Sequence, residues 1–221
     1  MILLTCAALP REISSDTLYS LLSLLFPHRE NEDYFKAIVR RKNSSSVNES
    51  LFALVLLYEL LTRLPAPPET ASLRLMRTDD GKPYFKDSYL HFSISHSHGY
   101  AVCALSDEDE VGVDAEASDV LPEKAKKIAD RYFGDGEKAL VNATTDAFKK
   151  IWCEKEAKAK CLGLGLGKLL EIEKKTSKDS DFCKGSDKLS VHHFYFDKIP
   201  IYLCAKGKNQ TIHFISVNEM Q

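Results

Sequence analysis

The chain of 221 residues reads as an α+β protein built from two similar lobes that meet near residue 108. Three observations lead there. Short apolar runs of strand length stand beside longer stretches with helical periodicity. The order strand, helix, helix, several strands occurs twice along the chain. A charged turn, SDEDE at 106–110, falls where that order restarts. The expected lobes are therefore 1–108 and 109–221.

In the first half, residues 1–9 read as a buried strand. Ser14, Ser15 and Asp16 offer N-caps for a helix that stops before Pro27. A polar, charged segment containing RRKNSSS at 40–46 follows. A helix over about 48–64 carries Leu51, Val55, Leu56 and Leu60 on one face. PAPPE breaks it, and SLRLMR, KPYF, LHFSIS and YAVCALS then read as short strands.

In the second half, VGVDAE at 111–116 is strand-like, and 122–132 is a helix with proline in its first turn. A long helix is expected over 145–162. KLLEIEKK, LSVHHFYF, IYLCAK and TIHFISV read as strands, and SKDSDFCKGSDK at 177–188 as a polar loop.

The composition, 44% hydrophobic and 28% charged, is that of a soluble globular chain. A formal net charge of −2 gives nucleic acid no broad electrostatic hold. The six cysteines form no C-x-x-C pair, which suits reduced structural thiols. MILLTCAALP lacks the basic flank of a signal peptide, and LFALVLLYELL is interrupted by Glu59 and short of a membrane span. A cytoplasmic protein with no nucleic-acid or membrane partner is expected.

Charge placement marks where chemistry is expected. At about 100° per residue, Phe148, Ile151, Trp152, Ala159 and Leu162 form one apolar stripe with Lys155 at its centre and Glu156 at its edge. On the bland reading Lys155 snorkels, while Glu154–Lys158 and Glu156–Lys160 are helix-stabilising pairs. On strand 111–116, Asp114 and Glu116 share a face about 7 Å apart and repel unless one is protonated or a cation lies between them. With Glu156 they make an all-oxygen set suited to Mg²⁺ and substrate phosphates, which Lys155 and Lys160 would face. His96, between Ser95 and Ser97 at a strand end, could hold a phosphate or be structural. Its spacing to His91 and His98 fits no common zinc pattern. Lys82 sits in a Gly-Lys-Pro turn, and Glu137, just past a glycine-rich break, reads first as a cap.

Taken in order, Gly81-Lys82-Pro83, Ser95-His96-Ser97, Gly112-Val113-Asp114-Ala115-Glu116, Phe133 to Glu137 and Trp152 to Leu166 resemble the motifs of the 4'-phosphopantetheinyl transferases of the surfactin-synthetase-activating type. The resemblance implies a pseudo-dimer of two α+β lobes with coenzyme A in the cleft between them. It implies transfer of the phosphopantetheine arm of coenzyme A to a serine of an apo acyl or peptidyl carrier protein, with release of 3',5'-ADP. By the same resemblance Asp114, Glu116 and Glu156 match Mg²⁺ ligands. Lys155, Lys160 and His96 match contacts to the pyrophosphate or 3'-phosphate, and Lys82 and Ser95 match further coenzyme positions. Arg40, Arg41 and Lys42 fall where the family contacts the adenosine 3'-phosphate. Glu156, with Glu137, is the candidate for deprotonating the serine, with Lys160 beside it, and the family type is a monomer.

This chain departs from the pattern at Ala115, where a bulkier aliphatic is usual, at His98, where glycine is common, and in a longer 116–137 segment. Two alternatives stand beside the resemblance. One is a non-catalytic module that binds coenzyme A or a carrier protein. The other is a metal-dependent nuclease reading Asp114 and Glu156-Ala157-Lys158 as D…E-x-K. The wheel opposes the nuclease, because Lys158 lies about 160° from Glu156.

Overall fold

A computed structural model describes residues 1–10, 12–176, 189–207 and 210–215. The loop expected at 177–188, with Cys183, lies outside those residues, as does the end of the last expected strand.

The first half opens with β1 (Ile2–Ala8), followed by α1 (Ser15–Leu25), whose first turn is closed by Thr17 N donating to Ser14 Oγ at 3.1 Å. α2 (Asn31–Val39) occupies the segment that reads as merely polar. It buries Tyr34, Phe35 and Ile38 on one narrow face, too few residues to stand out among the charges. α3 (Ser44–Thr62) starts at the Asn43 cap and begins earlier than its apolar periodicity suggests.

A hairpin of β2 (Arg74–Arg77) and β3 (Pro83–Lys86) leads to β4 (His91–Ser97) and β5 (Tyr100–Ser106). His98 at φ 47° and Gly99 at φ 80° form the two-residue turn between β4 and β5. Positive φ at both positions is the geometry that matches strand twist. Histidine is thus tolerated where glycine is common, with the strain falling on His98.

The second half runs β6 (Val111–Ala115), α4 (Pro122–Tyr132), α5 (Asp135–Ala143), α6 (Thr145–Leu162), α7 (Leu166–Thr176), β7 (Leu189–Phe196), β8 (Ile199–Lys206) and β9 (Ile212–Ile215). KLLEIEKK is helical, not a strand: Leu166 and Leu170 lie one helical turn apart and pack among α4–α6, and Leu169 is buried as well. α6 ends in a Schellman turn, with Gly163 at φ 67°, Gly163 N donating to Lys160 O and Leu164 N to Ala159 O at 2.9 Å.

Strands β4-β5-β1-β9 form one sheet and β6-β8-β7 a second, antiparallel throughout except for β1 beside β9. Side chains alternate across β1. Leu3 and Ala7 pack toward α1–α3, whereas Ile2, Leu4 and Cys6 join Val111, Val113, Ile201 and Leu203 in a core drawn from both sheets. The α+β class is as expected, but the C-terminal strand β9 pairs with β1, so the first sheet takes a strand from beyond residue 108. Among the described residues no helix is long and apolar enough to cross a membrane.

α6 lies on the second sheet at Gly112. A Cβ there would overlap the Ala157 carbonyl and the Cys161 amide. Ala157, Cys161 and Cys204 complete this tight contact. The small residues Cys153, Ala157 and Cys161 are all buried, so a second face of α6 is covered besides its aromatic stripe.

Candidate active site

The close approach at Gly112 sets α6 beside β6 and determines which side chains converge. β4 runs alongside β6, linked to it through serines on one of its faces. Val113 N donates to Ser93 Oγ at 3.0 Å, Ser95 Oγ donates to Asp114 Oδ1 at 2.6 Å, and Ser97 Oγ donates to Glu116 Oε1 at 2.5 Å. From α6, Lys160 Nζ donates to Asp114 Oδ1 at 2.7 Å and to Ser95 Oγ at 2.9 Å. Ser95 and Asp114 are buried, so this trio is a charge-assisted cluster at the junction of both sheets and α6.

A cleft of about 450 Å³ opens over the cluster. Its lining includes the carboxylates Asp114, Glu116 and Glu156 and the basic side chains Arg41, Arg77 and His96. Glu116 Oε1 also accepts from Ser118 N at 2.8 Å and Ser118 Oγ at 2.5 Å. Burial pushes the Glu116 carboxyl up, but the hydroxyl bonds from Ser118 and Ser97 outweigh it and hold it below its ordinary value.

Glu156 differs: among the described residues its carboxylate has no hydrogen-bond or ion-pair partner. Burial pushes its carboxyl up; Lys160 pulls it back, and Asp114 and Glu116 push it further up. A half-buried carboxylate facing two others is short of positive charge, and an all-oxygen set of this kind suits a hard divalent cation. No group of three or more His, Cys, Asp or Glu side chains among the described residues is arranged to hold a metal ion. Lys160 stands against Asp114 instead. The donor chemistry thus fits Mg²⁺, while Asp114 is bonded to Ser95 and Lys160 and Glu116 to Ser97 and Ser118.

Of the basic trio at 40–42, only Arg41 lines the cleft. Arg40 caps α2, and both Arg40 and Lys42 are exposed. Burial and the nearby Arg77 hold the Arg41 guanidinium below its ordinary value. Two guanidiniums facing one cavity form a site for an anion. Arg77 is absent from the residues singled out in the sequence. It ends β2 directly across from Pro83 of the Gly-Lys-Pro turn, and that position beside Lys82 was the available signal. Lys82 lines the cleft, but its ammonium is paired with Glu110 and donates to Val111 O at 3.2 Å.

Lys155 and Glu137 lie elsewhere. Lys155 is 5% exposed and pairs with Glu137 at 2.8 Å and Glu173 at 2.5 Å, above the Phe133 ring. Burial pulls its ammonium down in pKa, and the bonds to Glu137 and Glu173 more than reverse that. Glu137 also caps α5 by accepting from Gly134 N at 2.9 Å. Neither Lys155, expected against phosphate, nor Glu137, expected near the serine, lines the cleft. The aromatic stripe of α6 faces α4, α5 and α7, so Lys155, central in it, points into that bundle and away from the cleft. Lys158 pairs with Glu154 at 2.6 Å and does not line the cleft, which removes the D…E-x-K arrangement.

Residues 110–204, which hold β6, Asp114, Glu116 and the whole of α6, match the model of the 4'-phosphopantetheinyl transferase superfamily. A Haemophilus influenzae protein named as a candidate 4'-phosphopantetheinyl transferase is 30% identical over 172 residues, covering 72% of this chain and 68% of that one. The chain belongs to this superfamily. The 4'-phosphopantetheinyl transferase gsp of Aneurinibacillus migulanus is 33% identical over 137 residues, 59% of this chain and 55% of its own length. A 4'-phosphopantetheinyl transferase of Bacillus subtilis is 36% identical over 92 residues, 39% of each chain. The aligned part of the chain thus spans between about two fifths and two thirds of these superfamily relatives.

Proposed function

We propose that this protein transfers the 4'-phosphopantetheine group of coenzyme A to a serine hydroxyl of an apo acyl or peptidyl carrier protein. The observation that carries this reading is the convergence of Asp114, Glu116 and Glu156 with Arg41, Arg77 and Lys160 around one cleft. A diphosphate ester with a further phosphate monoester needs such a mixture: cations for its terminal charge and carboxylates for a metal at its centre.

In this reading the serine Oγ attacks the phosphorus that bears the pantetheine arm. The bond from that phosphorus to the bridging oxygen breaks, and 3',5'-ADP leaves. Glu156, the carboxylate without a partner, accepts the serine proton. Lys160 is placed to balance negative charge developing on the departing diphosphate oxygen. Arg41 and Arg77 hold the 3'-phosphate end, His96 borders it, and Ser95 keeps Asp114 and Lys160 in position. Asp114, Glu116 and Glu156 are the residues that would hold Mg²⁺, which when bound neutralises and orients the diphosphate. The reading includes a monomer working in the cytoplasm.

The test is the nucleotide product. Incubation with Mg²⁺, coenzyme A and an apo carrier should yield 3',5'-ADP by chromatography, and omission of the carrier should abolish it. No 3',5'-ADP with several unrelated apo carriers would overturn the proposal.

A further inference from the structure

The S-H-S strand presents two faces with separate partners. Ser95 and Ser97 turn to β6, while His96 turns to α3 and meets Glu49 and Ser50, neither of which any motif singles out. Glu49 is 5% exposed, deep for a carboxylate. Its Oε1 accepts from Gly99 N at 2.7 Å and from Ser45 Oγ at 3.2 Å, and its Oε2 lies 3.0 Å from His96 Nδ1. On the other side of the ring, His96 Nε2 lies 2.9 Å from Ser50 Oγ, and Arg41 Nη1 donates to that same oxygen at 3.1 Å.

The donors in this chain of contacts can be assigned one by one. A carboxylate only accepts, so the proton between Glu49 and His96 sits on Nδ1. A guanidinium only donates, so Ser50 Oγ accepts from Arg41 and keeps its single hydrogen for His96 Nε2. Every bond then runs one way: Arg41 to Ser50, Ser50 to His96, His96 to Glu49. The charged groups that bear on the ring are Glu49 from α3, Arg41 beyond α2 and Lys160 from α6.

We infer that Glu49 is the positioning residue for His96: it fixes the imidazole with its proton on Nδ1 and its Nε2 lone pair toward Ser50 and the cleft. The same carboxylate clamps the His98-Gly99 turn through Gly99 N, so ring orientation and turn geometry are set together. An anion entering beside Arg41 meets a ring whose Nε2, bonded to the Ser50 hydroxyl, is the nitrogen left to take a proton, with Glu49 already placed to balance the imidazolium. The cleft's use for coenzyme A rests on the transferase reading; the state of His96 does not.

The deciding experiment is ¹⁵N NMR of the histidine rings in the full chain without ligand, on wild type and Glu49→Gln. Wild-type His96 should show the Nδ1-protonated tautomer. The glutamine amide can donate to Nδ1, so Glu49→Gln should move the proton to Nε2 while circular dichroism stays unchanged. Wild-type His96 protonated on Nε2 would overturn the inference even if the variant fails to fold, as would a folded variant with the wild-type tautomer. In titrations with 3',5'-ADP, Glu49→Gln and His96→Asn should each weaken binding about tenfold, and the double variant no further. Additive losses would also overturn the inference. If wild type bound no 3',5'-ADP, the transferase reading would fall, while the tautomer shift would still establish the role of Glu49.

Discussion

Lys160 Nζ stands 2.7 Å from Asp114 Oδ1, joining the long helix α6 to strand β6 at the floor of the cleft. The pair forms because Gly112 lets the helix backbone lie directly on the strand. Asp114 is buried, and the Ser95 hydroxyl donates to the same oxygen.

Lys160→Ala should leave Asp114 buried with the Ser95 hydroxyl and the Cys153 thiol but no cation, a loss of about 1–3 kcal/mol in chemical denaturation. Transfer should fall with it, since the proposed mechanism uses the same ammonium to balance the departing diphosphate. An unchanged unfolding midpoint would contradict the role given to this pair.

Lys155→Met should lose stability without losing ligand affinity. Its partners Glu137 and Glu173 are about a third exposed, so repulsion between them is partly relieved by water, and a loss of about 1–3 kcal/mol is expected. Affinity for coenzyme A, read by calorimetry, should stay close to wild type. A large loss of affinity in a stably folded variant would place Lys155 against phosphate after all.

Arg41→Ala should weaken 3',5'-ADP binding about tenfold, the scale of one charge-assisted bond, whereas Arg40→Ala and Lys42→Ala should not. Arg77→Ala should resemble Arg41→Ala. Equal losses at all three of positions 40–42 would point to a diffuse basic patch.

The Lys82–Glu110 pair gives a pH signature. Burial pushes the Glu110 carboxyl up, but bonding to Lys82 outweighs it, with His91 adding to the effect, so its folded value lies below the ordinary value near 4.5. A lowered folded value means the unfolded chain binds the proton more readily. The contribution to stability is present above about 4.5 and is lost as pH falls toward the folded value. Glu110→Gln should therefore show a shallower fall in melting temperature than wild type across that acid range. Parallel curves would contradict it.

How legible this was in the sequence varies by element. α6 could be read to the residue because Thr144 caps one end and Gly163 takes the left-handed turn at the other. The charged motifs around Asp114, Glu116, Glu156 and Lys160 were legible because strand alternation and helix spacing both act locally. Lys155 was not. A wheel shows that it lies in the aromatic stripe but not what that stripe faces, and the small residues Cys153, Ala157 and Cys161 on the sheet side carry little hydrophobic signal. α7 was lost because LLEI suits either period over so short a run. β9 was legible as a strand, but its partner β1 lies at the other end of the chain, a pairing that no local pattern encodes. Glu49 acts through contacts with a distant strand, and nothing in its own neighbourhood marks it; Arg77 is marked only by its place beside the Gly-Lys-Pro turn.

The most direct test is the intact mass of an apo carrier protein after incubation with Mg²⁺, coenzyme A and either wild type or Glu156→Gln, with both proteins checked for fold. Wild type should add one phosphopantetheine group to a single serine, and Glu156→Gln should add none on the same timescale. No mass gain with wild type across several unrelated apo carriers, or near-full transfer by Glu156→Gln, would contradict the account.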